Sequence, residues 1–99
     1  MSDDYDGILD KARPTHPYDP DEERDYEIAM DKVNSVVGVY SARLHEVRDD
    51  PAAAAPIRAE ITRWVEIQKS LRIDDRERVA RVRREGEAII REARGHPAP

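Results

Sequence analysis

The sequence predicts an all-α fold: an antiparallel helical hairpin followed by a third helix, or by one long second helix, associating into a helical bundle. Two observations carry this. Tyr26, Met30, Val33, Val37, Tyr40, Leu44 and Val47 recur at strict 4-3-4-3-4-3 spacing. Ile57, Ile61, Trp64, Gln68 and Leu71 repeat that spacing beyond a turn marked by Asp49-Asp50-Pro51. An apolar stripe of this period needs another helix to cover it. Two such stripes joined by a short link make a hairpin.

The first helix starts at Asp19-Pro20-Asp21-Glu22. This run places a carboxylate at the N-cap, proline at the first helical position and glutamate at the third, the pattern of a capping box. Asp21, Glu22, Glu23 and Asp25 also suit the positive end of the helix dipole. Downstream, Ser35 to Tyr40 is rich in β-branched residues, but the heptad spacing continues on both sides, so the reading is helix. Gly38 costs ~1 kcal/mol there relative to alanine. It lies off the seam, where it permits close approach of another helix. Val36 and Val39 widen the apolar face beyond a two-stranded seam, which favours a bundle.

After Pro51 come Ala52 to Ala55 and Pro56. Two prolines five residues apart do not both sit deep inside a helix, so Pro56 is expected near the first position of the second helix, with 50–55 as a tight corner or an irregular first turn. For the third helix, Asp74 followed by Glu77 matches a capping box, with Ile73 just before it. Val79, Val82, Gly86, Ile89 and Ala93 form its stripe. No proline or glycine separates Ile57 from Glu85, so a single long helix with a stutter is the alternative. A break near residue 75 is the favoured reading. The helix ends before Gly95.

Composition sets the boundaries of the reading. Residues 1–19 hold Asp3, Asp4, Asp6, Asp10 and Asp19 against Lys11 and Arg13, with two prolines, and read as a flexible acidic arm. Within it, Tyr5, Ile8 and Leu9 make one apolar turn able to dock. Residues 20–94 are the helical domain and 95–99 a disordered tail. Residues 1–30 carry ten acidic and three basic side chains, a net of −7 within a total of −5, so the remainder sums to +2. That asymmetry permits head-to-tail contact, within a molecule or between two. Leu, Ile and Val number only 19 of 99, and a core this thin borrows apolar surface from a partner. The chain has no cysteine, which excludes disulfides and thiol chemistry. It shows no signal peptide and no run able to span a bilayer, so a cytoplasmic protein is expected. An excess of arginine over lysine, 14 to 3, points to a GC-rich bacterial genome.

Candidate chemistry is sparse. Seven arginines lie within 76–94; Arg76, Arg83, Arg84 and Arg91 are the candidates for phosphate contacts. Glu77, Glu85, Glu87 and Glu92 interleave with them, and Glu77–Arg81 and Glu87–Arg91 have the spacing of helical ion pairs, which favours a solvated face. No aromatic residue interleaves for base stacking. His16, His45 and His96 show no metal-ligand spacing, so neither metal nor cofactor is expected. Ile73 to Val79 resembles the aspartate-arginine-glutamate stretch of the helical chorismate mutases. That family would also imply a lysine in the middle segment, and Lys69 stands only seven residues before Arg76, so no activity transfers. In size and layout the chain resembles the helical hairpins exported by type VII secretion, whose Trp-x-Gly turn motif is missing, since Trp64 is followed by Val65 and Glu66.

The expectation is therefore a non-catalytic protein–protein interaction module of the antitoxin, immunity or adaptor kind. It would form a homodimer and bind a protein partner, and would contact no membrane. Val36, Val39, Tyr40, Trp64, Val65 and Ile67 are its candidate interface. The alternative is a small nucleic-acid-associated regulator that uses the arginine-rich helix.

Overall fold

The computed structural model describes residues 19–95. Of the acidic arm and the tail predicted at the two ends, all but Asp19 and Gly95 lie outside the described residues. Three helices follow one another: α1, Pro20–Glu46; α2, Pro51–Ser70; and α3, Arg76–Gly95. The predicted break is present, so α2 and α3 are separate helices. α1 packs against both others.

The capping box at the head of α1 forms as its sequence requires. The Asp19 carboxylate accepts from the Asp21 amide at 2.9 Å, and Glu22 accepts from the Asp19 amide at 3.3 Å. Glu22 is buried, 7% exposed. Its carboxylate also meets the Arg76 guanidinium at 3.2 Å, which ties the first turn of α1 to the first turn of α3.

The heads of the other helices differ from expectation. α2 begins at Pro51, not near Pro56. Asp50 is its N-cap, accepting from the Ala53 amide at 3.2 Å, and Pro56 lies inside the helix. Four consecutive alanines, the best helix formers, offset the one hydrogen bond that Pro56 removes. Ala54 is fully buried, so the extra turn is also held by packing. For α3 the N-cap is Asp75, which accepts from the Arg78 amide at 3.2 Å. Asp74 instead meets Arg72 at 3.3 Å, so the predicted Asp74–Glu77 box does not form. Gly95 is the last residue of α3 instead of the first beyond it.

α3 advances along α1 in the same direction. Arg76 meets Asp19 and Glu22, Arg83 meets Asp25 at 3.4 Å, and Gly86 faces Lys32 and Val36. From the other side, Gln68 of α2 donates to Asn34 in the middle of α1 at 2.7 Å. The core draws on all three helices: Ala29, Val33 and Val36; Trp64 and Ile67, with Leu71 just past the end of α2; and Val79, Val82 and Ile90. Of the heptad seam only Val33 is buried, whereas Tyr26, Met30, Val37 and Tyr40 are half-buried around the core. The buried stripe is rotated from the seam because α1 serves two neighbours, and its most enclosed positions lie between them. Trp64 is wholly enclosed, and among the described residues its indole N–H has no acceptor. An orphan buried donor costs about 1–3 kcal/mol, so Trp64 is held by its packing.

At Gly86 α3 lies close against α1. A Cβ there would stand 2.9 Å from the Lys32 Cβ and 3.6 Å from the Val36 Cγ2. The Lys32 atom belongs to the rigid base of its side chain, so the two helices would have to separate. Gly38 is the opposite case, with nothing within 4 Å of an added Cβ. Gly86→Ala should therefore destabilise by about 1–3 kcal/mol through overpacking despite its gain in helix propensity. Gly38→Ala should stabilise by about 0.5–1 kcal/mol. Urea denaturation of both variants checks the pair, and the reverse order would mean that α3 is not pressed against α1 at Gly86.

Candidate interaction surface

Helix length decides which apolar residues remain at the surface. α1 has 27 residues and α3 has 20, and the two start side by side at the Glu22–Arg76 pair. Counted from that pair and at 1.5 Å per residue, α3 stops roughly 7 Å short of the end of α1. Beyond it lies a tip built from α1 and α2 on either side of the turn at Val47–Asp50, which is closed by the Asp50 amide donating to the Val47 carbonyl at 2.8 Å. Leu44 and Val47 on α1 and Ile57 and Ile61 on α2 are all half-buried there, and Ala54 is the one fully buried residue. Arg48 holds the end of α1 by donating to the His45 carbonyl at 2.7 Å.

The six candidate interface residues divide. Val36, Trp64 and Ile67 are consumed by the core and have no surface to offer. Val39, Tyr40 and Val65 are half-buried. Val39 lies two turns beyond Lys32, which faces Gly86, so it sits on the α3 side of α1. Val65 lies one turn before Gln68, on the edge of α2 that meets α1. The two do not form one patch. Only Tyr40 adjoins the apolar tip. The tip residues Leu44, Val47, Ile57 and Ile61 belong to the two heptad stripes, and the signal that would have singled them out is the short stripe of the third helix.

Arginine chemistry surrounds Tyr40 and Trp64. The Arg43 guanidinium lies 5.5 Å from the Tyr40 ring centre, and that of Arg63 lies 5.1 Å from the Trp64 ring. Arg63 also bridges Glu60 at 3.1 Å and Glu85 at 3.2 Å, joining α2 to α3 across the outside of the core. Burial works against its charge, but the hydrogen bonds it donates to these carboxylates prevail and raise its pKa. Burial is the main cause that pushes the Tyr40 hydroxyl up, with Glu60 adding to it, while Arg43 and Arg63 pull the other way.

Of the four candidate phosphate-binding arginines, three are engaged with carboxylates. Arg76 meets Glu22 and Asp19, Arg83 meets Asp25, and Arg91 meets Glu87 at 3.6 Å. Arg84 has no ion-pair partner among the described residues. The predicted Glu87–Arg91 pair is thus present, whereas Glu77–Arg81 is not. Among the described residues no group of three His, Asp or Glu side chains is placed to hold a metal ion, and no helix is long and apolar enough to cross a membrane. No protein-family model, curated protein or solved structure matches the chain.

Because Tyr40 holds its proton more tightly when folded, the stability linked to it is present below the unfolded value of about 10 and is lost as pH rises through the higher folded value. Tyr40→Phe should therefore unfold less readily than the parent at strongly alkaline pH. Denaturation midpoints measured across that range, with ultraviolet titration of tyrosinate, check this. Equal alkaline loss in both proteins would assign it to other groups.

Proposed function

We propose that this chain is a non-catalytic, cytoplasmic interaction module in which α1 and α2 run antiparallel as a hairpin. The tip of that hairpin pairs with a second copy and presents the bundle to a protein partner, in the manner of an antitoxin, an immunity protein or an adaptor. The supporting observation is the apolar tip. Leu44, Val47, Ile57 and Ile61 are half-buried around the turn, and Tyr40 adjoins them beside the last turns of α3. Half-burial of five large apolar side chains at one end of so small a protein leaves apolar area exposed that association removes from water. A two-fold pairing of tips would let each α1–α2 pair cover the other. The Asn34–Gln68 hydrogen bond and the short turn at 47–50 support the antiparallel arrangement.

A nucleic-acid role is weaker because Arg76, Arg83 and Arg91 already face carboxylates. Size-exclusion chromatography with light scattering should show a dimer. Leu44→Glu with Ile57→Glu should release a monomer that keeps its helical circular dichroism, whereas Arg84→Glu should leave the dimer intact. A parent protein that stays monomeric at high concentration would refute the pairing. Duplex DNA binding that falls steeply with salt and vanishes in Arg83→Glu/Arg84→Glu would replace this reading with the nucleic-acid one.

A further inference from the structure

A pocket of about 250 Å³ opens between α1 and α3 at the end where both helices begin, and no residue of α2 lines it. Its apolar part is Ile73, Val79 and Ala80, and its charged wall includes Arg76, Arg83 and Arg84. The two carboxylates in the wall, Glu22 and Asp25, already face Arg76 and Arg83. Arg84 is left over, and residues 76–84 as a whole carry five arginines against Glu77. The volume falls below the roughly 300–1,000 Å³ of pockets that enclose a small-molecule ligand. It suits one or two aliphatic side chains flanked by negative charge.

The chain itself supplies such a segment. Residues 3–10 hold four aspartates and no basic residue, with Tyr5, Ile8 and Leu9 spaced to share one side of a helical turn. The chain enters α1 at Asp19, and the Asp19 carboxylate lies 3.5 Å from Arg76 on the rim of the pocket. Nine residues separate Leu9 from Asp19, and the ten steps between them span up to about 35 Å when extended. The charged wall from Arg76 to Arg84 is only about 12 Å long. A segment tethered this closely competes at an effective concentration in the millimolar range, which no free acidic peptide matches.

We propose that residues 3–10 of the same chain dock in the α1–α3 pocket. Ile8 and Leu9 cover Ile73, Val79 and Ala80, and the aspartates face Arg83 and Arg84. This contact is independent of the apolar tip, which lies at the other end of α1.

The chain has no cysteine, so Ser2→Cys accepts a single nitroxide in the full-length protein. The amide resonances of Ile73, Val79 and Ala80 should lose most of their intensity in the oxidised sample, recover on reduction, and be unaffected by dilution. Ile8→Asp/Leu9→Asp should abolish the loss with the helical circular dichroism retained, and Arg84→Glu should weaken it. Unbroadened resonances in the oxidised parent would overturn the proposal, as would broadening that survives Ile8→Asp/Leu9→Asp. Broadening of an isotope-labelled chain by a separate nitroxide-bearing chain would assign the pocket to a second copy's segment and overturn docking within one molecule.

Discussion

Everything in this fold depends on one helix face being shared. Ala29, Val33 and Val36 of α1 are wholly buried, and they are so because α2 and α3 close on them from two sides. A single partner would cover a narrow seam and leave the flanks wet. With only 19 Leu, Ile and Val residues, the chain lacks the apolar area for two separate cores. Its stability is therefore concentrated where three helices meet, around Val33 and Trp64. Gly86 belongs to the same constraint, since the absence of a side chain there allows α3 to approach near enough to bury Val36.

Charge sets the register of that packing. Arg76 against Glu22 and Asp19, then Arg83 against Asp25, pair the basic start of α3 with the acidic start of α1. The overall separation of acidic front from basic rear is thus used inside the molecule. Exposed pairs such as Arg83–Asp25 are worth about 0–1 kcal/mol each, so they do not hold the bundle together. They do make a shifted register unfavourable, because a slip of one turn would set Asp25 and Glu22 against the wrong neighbours. Glu22 differs from the others in being buried, so its charge needs its partner in place.

The helix content and the head of α1 were legible because their signals are local. A capping box occupies four residues, and a heptad stripe declares its period. What the sequence concealed was non-local. Periodicity shows that a stripe is covered but not by how many helices, so Val36 and Ile67 read as spare apolar width when they, with Trp64 of the stripe, are the core. Proline rules placed the start of α2 at Pro56, whereas Asp50, Pro51 and four alanines nucleate a turn ahead of it. At α3, Asp74 and Asp75 offer the same cap chemistry. Arg72 engages Asp74 and leaves Asp75 to cap, which depends on the conformation of the connecting loop. Residue type and spacing mark six candidate interface residues, and only Tyr40 of these adjoins the apolar tip.

The difference in length between α1 and α3 divides the molecule into two chemically distinct ends. Where the helices start together, every apolar group lies beside arginine and carboxylate, so recognition there requires charge as well as fit. Where α3 stops short, Leu44, Val47 and Ile57 stand without a third helix, and Glu46, Arg48, Asp49 and Asp50 edge the turn between them. An apolar tip of this kind discriminates poorly between partners by itself, since burial of apolar area is non-directional. Specificity must then come from the charged residues around it, among them Arg43, Glu60 and Arg63, which already surround Tyr40. A partner that covers Tyr40 has to satisfy or displace these groups, and this requirement turns a sticky end into a selective one.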